Sequence, residues 1–164
     1  MSSEYLVALY DDIDVFALDG TRVISDDGKI KSWSTWFSYF ITGEKKEVSN
    51  FGWKQPNPKT DFDPLHLKGT GAWEALVRYT GTKTSESLFD LYDYAGTDYY
   101  ILEGASRVDE YTLGINWTWN SLVRWQLNYV HLDGNGIETG AGSSEGKEKV
   151  DNEDMVGLRM IFKF

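Results

Sequence analysis

Along GAWEALVRYT (71–80) the apolar residues fall on one parity: Trp73, Ala75, Val77 and Tyr79 alternate with Glu74, Leu76, Arg78 and Thr80. The same alternation recurs in DEYTLGINWTWN (109–120), with Tyr111, Leu113, Ile115, Trp117 and Trp119 on the apolar side. It recurs in LVRWQLNYVH (122–131) through Val123, Trp125, Leu127 and Tyr129, and in MVGLRMIFKF (155–164) through Val156, Leu158, Met160, Phe162 and Phe164. A side-chain period of two belongs to a strand with one apolar face. KSWSTWFSYFIT (31–42) alternates less cleanly, and EYLVALY (4–10) is apolar on both faces. Helix-period patterning is hard to find. The expected fold is therefore all-β, an antiparallel meander of about six long strands over 4–11, 30–42, 71–81, 109–119, 122–132 and 154–164. Runs of about ten residues exceed the five or six usual in soluble sheets. They match what a tilted strand needs to cross a bilayer.

Composition narrows the function. Cysteine is absent and the two histidines, His66 and His131, lie far apart, so neither a thiol nucleophile nor a histidine-rich metal site is expected. A net charge of −10 argues against nucleic acid as a partner. Phosphate-binding glycine loops and GxSxG are missing, and Glu74 is the one clear carboxylate inside a well-patterned strand, so no enzyme and no cofactor is expected. No apolar run approaches the length of a membrane helix, and MSSEYLVALYDD lacks the pattern of a signal peptide.

Placing the chain end on the periplasmic side of a membrane sets the direction of every strand. Trp73, Trp117, Trp119, Trp125, Phe162 and Phe164 then gather at that rim, and Tyr79, Tyr111 and Tyr129 at the opposite one. Two aromatic belts are what the two lipid–water interfaces favour. Charge follows the same plan. The segments 11–29, 82–110 and 132–154, outer loops in this topology, hold six, seven and seven acids against two bases each. The strands carry Glu4 and Glu74 against Lys31, Arg78, Arg124, Arg159 and Lys163. Arg78, Arg124, Arg159 and Lys163 share the polar parity, which in a barrel is the lumen face.

YFITGE (39–44), GAWEALVRY (71–79), DEYTLGINWTWN followed by VRWQLNYVH, and the closing GLRMIFKF together resemble the C-terminal part of phosphate-selective porins O and P. The resemblance implies the C-terminal part of a transmembrane β-barrel of about sixteen strands in the bacterial outer membrane. It also implies a homotrimer when full length, diffusion of phosphate or other small anions, and contact with outer-membrane lipid and lipopolysaccharide. The terminal Phe162 and Phe164 resemble the signal read by barrel-assembly machinery. On this reading residues 1–164 form a single barrel segment, a fragment carrying the last third or so of the strands and lacking a signal peptide.

Arg78, Arg124, Arg159 and Lys163 are the candidate pore-lining anion contacts, the alternative being lumen residues paired to Glu74 or to loop carboxylates. The insert 43–70 is long for a periplasmic turn. The resemblance suggests that such segments fold back toward the pore, which makes Lys54, Lys59 and Lys68 candidate contacts; the alternative is a solvated, proline-stiffened loop. The acidic outer loops point to a general or differently selective pore as an alternative to a phosphate-selective one. Two other readings stay open: a soluble sandwich or small β-barrel acting as a binding or structural protein, and a complete eight-stranded barrel in which 87–102 adds a hairpin.

Overall fold

A computed structural model describes residues 1–16, 20–49, 52–85, 91–94, 97–100, 104–137 and 152–163. It holds ten strands: β1 (Ser2–Phe16), β2 (Arg22–Phe40), β3 (Val48–Ser49), β4 (Gly52–Trp53), β5 (Ala72–Thr84), β6 (Leu91–Tyr94), β7 (Thr97–Tyr100), β8 (Gly104–Thr118), β9 (Val123–Ile137) and β10 (Glu153–Phe162). The expected meander is present. Six strands form one antiparallel sheet in the order β1, β2, β5, β8, β9, β10. The small strands β3 and β4 pair within the insert, and β6 pairs only with β7. That pair answers the eight-stranded alternative: residues 91–94 and 97–100 do form strands, but they stay out of the six-stranded sheet.

The long strands overrun their expected ends. β2 begins at Arg22 rather than near 30, β8 at Gly104 rather than near 109, and β9 continues to Ile137 rather than stopping near 132. Side-chain polarity marks where an apolar face ends, but ladder hydrogen bonds continue wherever two backbones stay adjacent. Phe164 and Asp151 lie outside the described residues. Between β8 and β9 the tight Asn-Ser turn is fixed locally. Asn120 Oδ1 accepts from the amides of Leu122 at 2.9 Å and Val123 at 3.0 Å, an Asx turn that returns the chain at once. The register also orients β1, which its sequence could not. Tyr5 lies opposite Trp33 and Val7 opposite Lys31, so the odd residues of β1 share the odd face of β2.

The burial is inverted relative to a soluble sheet. Among the described residues the buried apolar ones are Phe40 and Ala72, whereas Glu74, Asp109, Thr112, Asn116 and Thr118 are buried polar residues. The apolar face lies open, with Val156 75% exposed and Leu158 68% exposed. Among the described residues no second sheet covers that face, which leaves the sandwich reading without its defining contact.

Candidate functional site on the polar face of the sheet

Directly opposed residues of an antiparallel ladder share a face, so the register draws the site in rows across the strands. One row runs through Phe40, Glu74, Asn116, Gln126 and Arg159, from β2 to β10. Within it Gln126 Nε2 donates to Asn116 Oδ1 at 2.9 Å, and Asn116 Nδ2 donates to Glu74 Oε2 at 2.9 Å. The two amides are thereby aligned with their N–H groups toward the carboxylate. The next row toward the Trp end carries Ala72, Thr118, Arg124 and Ile161. In the opposite direction lie Ser38, Leu76, Gly114, Asn128 and Gly157, then Trp36, Arg78, Thr112, Val130 and Met155. At Gly114 an added Cβ would come within 2.9 Å of both Leu76 and Asn128, which lean across it.

The insert of 43–70 straddles the end of the sheet. Its base is pinned where Thr42 accepts from the Trp73 amide at 3.0 Å and donates to Glu44. Lys59 donates its amide to Glu44 at 3.2 Å and its Nζ to the Thr42 carbonyl at 3.1 Å. Burial opposes ionisation of Glu44, but the Thr42 hydroxyl, the Lys59 amide and the Lys59 charge outweigh it and hold the carboxyl below its usual range. The first half of the insert lies over the polar face. Lys46 donates to Ser38, reaches Glu74 at 2.9 Å, and sits 4.2 Å from the centre of the Trp36 ring. The second half turns to the apolar side, where Phe62 packs at 4.8 Å from Trp117 and 5.2 Å from Trp119.

Between sheet and insert lies a cleft of about 440 Å³, walled by Trp36, Leu76, Asn128 and Arg124 and bounded by Lys54 and Pro56. Glu74, with its side chain 6% exposed, sits at its floor and serves two cations, Lys46 at 2.9 Å and Arg124 at 3.4 Å. Of the expected contacts, Arg78 is tied to Glu110 and lies 3.4 Å from the Thr112 hydroxyl. Lys54 lines the cleft and meets Glu47 at 3.5 Å. Arg159 stands opposite Gln126 and Arg124 opposite Ile161, so the two arginines are diagonal neighbours. Arg159 and Lys163 are exposed, and neither makes an ion pair among the described residues. Lys59 is used at the base of the insert, and Lys68 pairs through its backbone with Asp63, so these two do not join the cleft. Sequence reasoning missed Lys46, which only the fold of the insert brings to Glu74. It also passed over Asn116 and Gln126, whose polar parity was legible.

On the apolar face the aromatics fall in rows as well. Trp73, Trp117 and Trp125 share one row; Trp73 stacks on Trp117 at 4.7 Å, and Trp119 joins Trp117 at 5.2 Å. At the other end Tyr79 lies beside Tyr111, 5.1 Å between ring centres. Tyr79 and Tyr129 point their hydroxyls at Asp109 and Asp154, at 2.6 and 2.7 Å. Trp33, not anticipated as a rim residue, lies over Gly81, where any Cβ would strike the indole. This rim is staggered against the rows. Trp33 on β2 is in the Gly81 row, and Tyr129 on β9 is in the Val77 row, four β5 residues apart. Barrel strands tilt by about 40°, so a row climbs ~3 Å per strand, ~9 Å over the three steps from β2 to β9. Four residues of a strand so tilted span ~10 Å in height. The stagger matches that climb in size.

A sheet with an open apolar face, buried amides and charges opposite, and aromatics at both ends of its strands is the wall of a transmembrane β-barrel. The family model for phosphate-selective porin O and P matches residues 1–164, and the chain belongs to that family. No curated protein and no solved structure matches it.

Proposed function

We propose that this chain forms part of the wall of an outer-membrane diffusion pore, with the insert 43–70 folded into the lumen as a cationic constriction for small anions. Family membership implies a porin and an outer-membrane location. The observation that carries the finer reading is the sharing of one carboxylate, Glu74, between Lys46 and Arg124. Arg78 and Lys54 are compensated by Glu110 and Glu47, but two cations on one anion leave the cleft with an excess of positive charge. Arg159 and Lys163 extend that excess along the lumen face. A positive lumen concentrates anions and repels cations. The aligned amides of Gln126 and Asn116 hold Glu74 in place, so the charge geometry is preset.

In this orientation the Trp row with Trp119 and Phe162 forms the periplasmic girdle, and Trp33, Tyr79, Tyr111 and Tyr129 form the outer one. Both outermost strands, β1 and β10, leave an edge unpaired among the described residues. Open edges do not persist in lipid, so further strands close the barrel. The test is the reversal potential of the assembled pore in a planar bilayer under a KCl gradient. Lys46→Gln removes one of the two cations and is expected to lower chloride preference. An unchanged reversal potential would refute the cationic constriction.

A further inference from the structure

The polar face is not polar throughout. One row outward from Glu74 stands Leu76, opposite Ser38 and Gly114, and a further row outward stand Trp36 and Val130. The interior of a barrel is ordinarily polar, and side chains there meet no lipid. Phe40 is buried, but Trp36, Leu76 and Val130 are half-buried and line the cleft beside the insert. The bare backbone at Gly114 gives Leu76 its place, since an added Cβ would stand 2.8 Å from Leu76 Cγ. Leu76 thus spreads over β8 as an apolar floor.

Charge is divided across this floor. Inward of Leu76, Glu74 stands against Lys46, Arg124 and Arg159. Lys46 also donates to Ser38, the residue opposite Leu76, and covers one face of the Trp36 ring at 4.2 Å. Arg124 Nε is buried and makes no hydrogen bond among the described residues. Outward of Trp36 and Val130, Glu4, Glu110 and Glu153 share one row. Arg78 and Lys54 at the margin of the cleft are held by Glu110 and Glu47. The cleft therefore runs from a cationic inner end, over an apolar middle, to an acidic outer row.

We infer that the cleft takes organic anions with a compact apolar body, the charged head inward at Arg124 and Lys46 and the body on Leu76 between Trp36 and Val130. The inference rests on the cationic cleft proposed above and names the solute that fits it. A volume of about 440 Å³ lies in the range of sites for organic ligands. Same-face residues of a strand stand about 7 Å apart, so a head at Glu74 and a ring over Leu76 are one small molecule's length from each other. A hydrated inorganic anion gains nothing from Leu76 or Val130, because burial rewards only apolar surface removed from water. The acidic row disfavours the reversed pose, which would bring the head beside like charges.

The experiment compares two blockers of the chloride current through the purified, assembled porin in a planar bilayer. They are phenyl phosphate and methyl phosphate at about pH 8, where both are dianions with the same head and differ only in the apolar body. Phenyl phosphate is expected to block at about tenfold lower concentration, which burial of about 60 Å² of ring surface supplies. Leu76→Asn combined with Val130→Thr should bring that ratio to within about twofold. Both esters are read on the same channel, so the ratio does not depend on its basal conductance. Trp36→Gln, on another strand, should also lower the ratio and decides should the double variant fail to assemble. Equal block of the wild type by the two esters would overturn the inference, as would a ratio that survives these substitutions. Either result with chloride preference intact refutes this inference alone, whereas a wild-type pore that prefers potassium refutes the cationic cleft itself.

Discussion

Replacing Glu74 by Gln keeps the size of the side chain and its bond from Asn116 while removing the one negative charge at the floor of the cleft. Lys46 at 2.9 Å and Arg124 at 3.4 Å then lose their shared counter-charge. For an ion passing about 6 Å away, one added positive charge in water is worth ~0.7 kcal/mol unscreened and ~0.4 kcal/mol in 0.1 M salt. That favours an anion about twofold and disfavours a cation about twofold, so chloride over potassium permeability should rise ~4-fold. In 1 M salt the screening length falls to about 3 Å, the energy drops to ~0.1 kcal/mol, and the ratio should rise by less than about 1.5-fold. The assay is the reversal potential across a KCl gradient at both ionic strengths. A ratio that stays flat or falls at 0.1 M would refute the reasoning, and so would a rise that does not shrink at high salt. The same substitution should destabilise the barrel by about 1–3 kcal/mol, because two cations lose their shared counter-charge while Gln keeps the bond from Asn116.

Trp117→Ala removes the stack with Trp73 at 4.7 Å and the contacts to Phe62 and Trp119; urea unfolding in vesicles should show a loss of about 2 kcal/mol, and a change within error would mean the row is not structural. Gly81→Ala forces Trp33 off its place over the backbone and should cost ~1–2 kcal/mol in the same measurement, whereas Gly157→Ala, with nothing within 4 Å of the added Cβ, serves as the tolerated control. The depressed Glu44 carboxyl stabilises the base of the insert above its ordinary range, and that stabilisation is lost as pH falls through about 4.3 toward the lower folded value. Hydrogen exchange at the Lys59 amide, corrected for intrinsic rate, should therefore lose protection once Glu44 is protonated, and protection that is unchanged in Glu44→Ala would contradict the Glu44 bond.

Much of the wall was legible one residue at a time. Alternation in 71–80, 109–120, 122–131 and 155–164 set which side chains face together, because a strand presents every second residue to one side whatever its neighbours do. Parity alone put Arg78, Arg124, Arg159 and Lys163 on the face opposite Trp73, Trp117, Trp125, Tyr79, Tyr111 and Tyr129. The Asn-Ser turn was legible because an Asx turn is made by residues adjacent in sequence. The strand ends were not, since ladder pairing runs past the point where the apolar pattern stops. β1, apolar on both sides, also had no readable orientation until its register with β2 fixed Tyr5 opposite Trp33.

The sequence by itself determined the faces: which residues look toward lipid and which toward water. It placed the acids of 11–29, 82–110 and 132–154 in loops, but Asp11, Asp12, Asp14, Asp26, Asp27, Asp109, Glu110, Asp133, Glu153 and Asp154 lie in the strands, because ladder pairing carries β1, β2, β8, β9 and β10 past the apolar pattern. Only the tertiary structure decided the pairings. Glu74 meets Lys46 28 residues away and Arg124 50 residues away. Phe62 reaches the Trp row because the insert turns around the end of the sheet. Lys31, Lys83 and Arg107 become a row only when β2, β5 and β8 lie side by side. Periodicity is a property of one strand and survives in its sequence. Lateral neighbourhood depends on register and on the path of the insert, and both are set by hydrogen bonds between segments far apart in the chain.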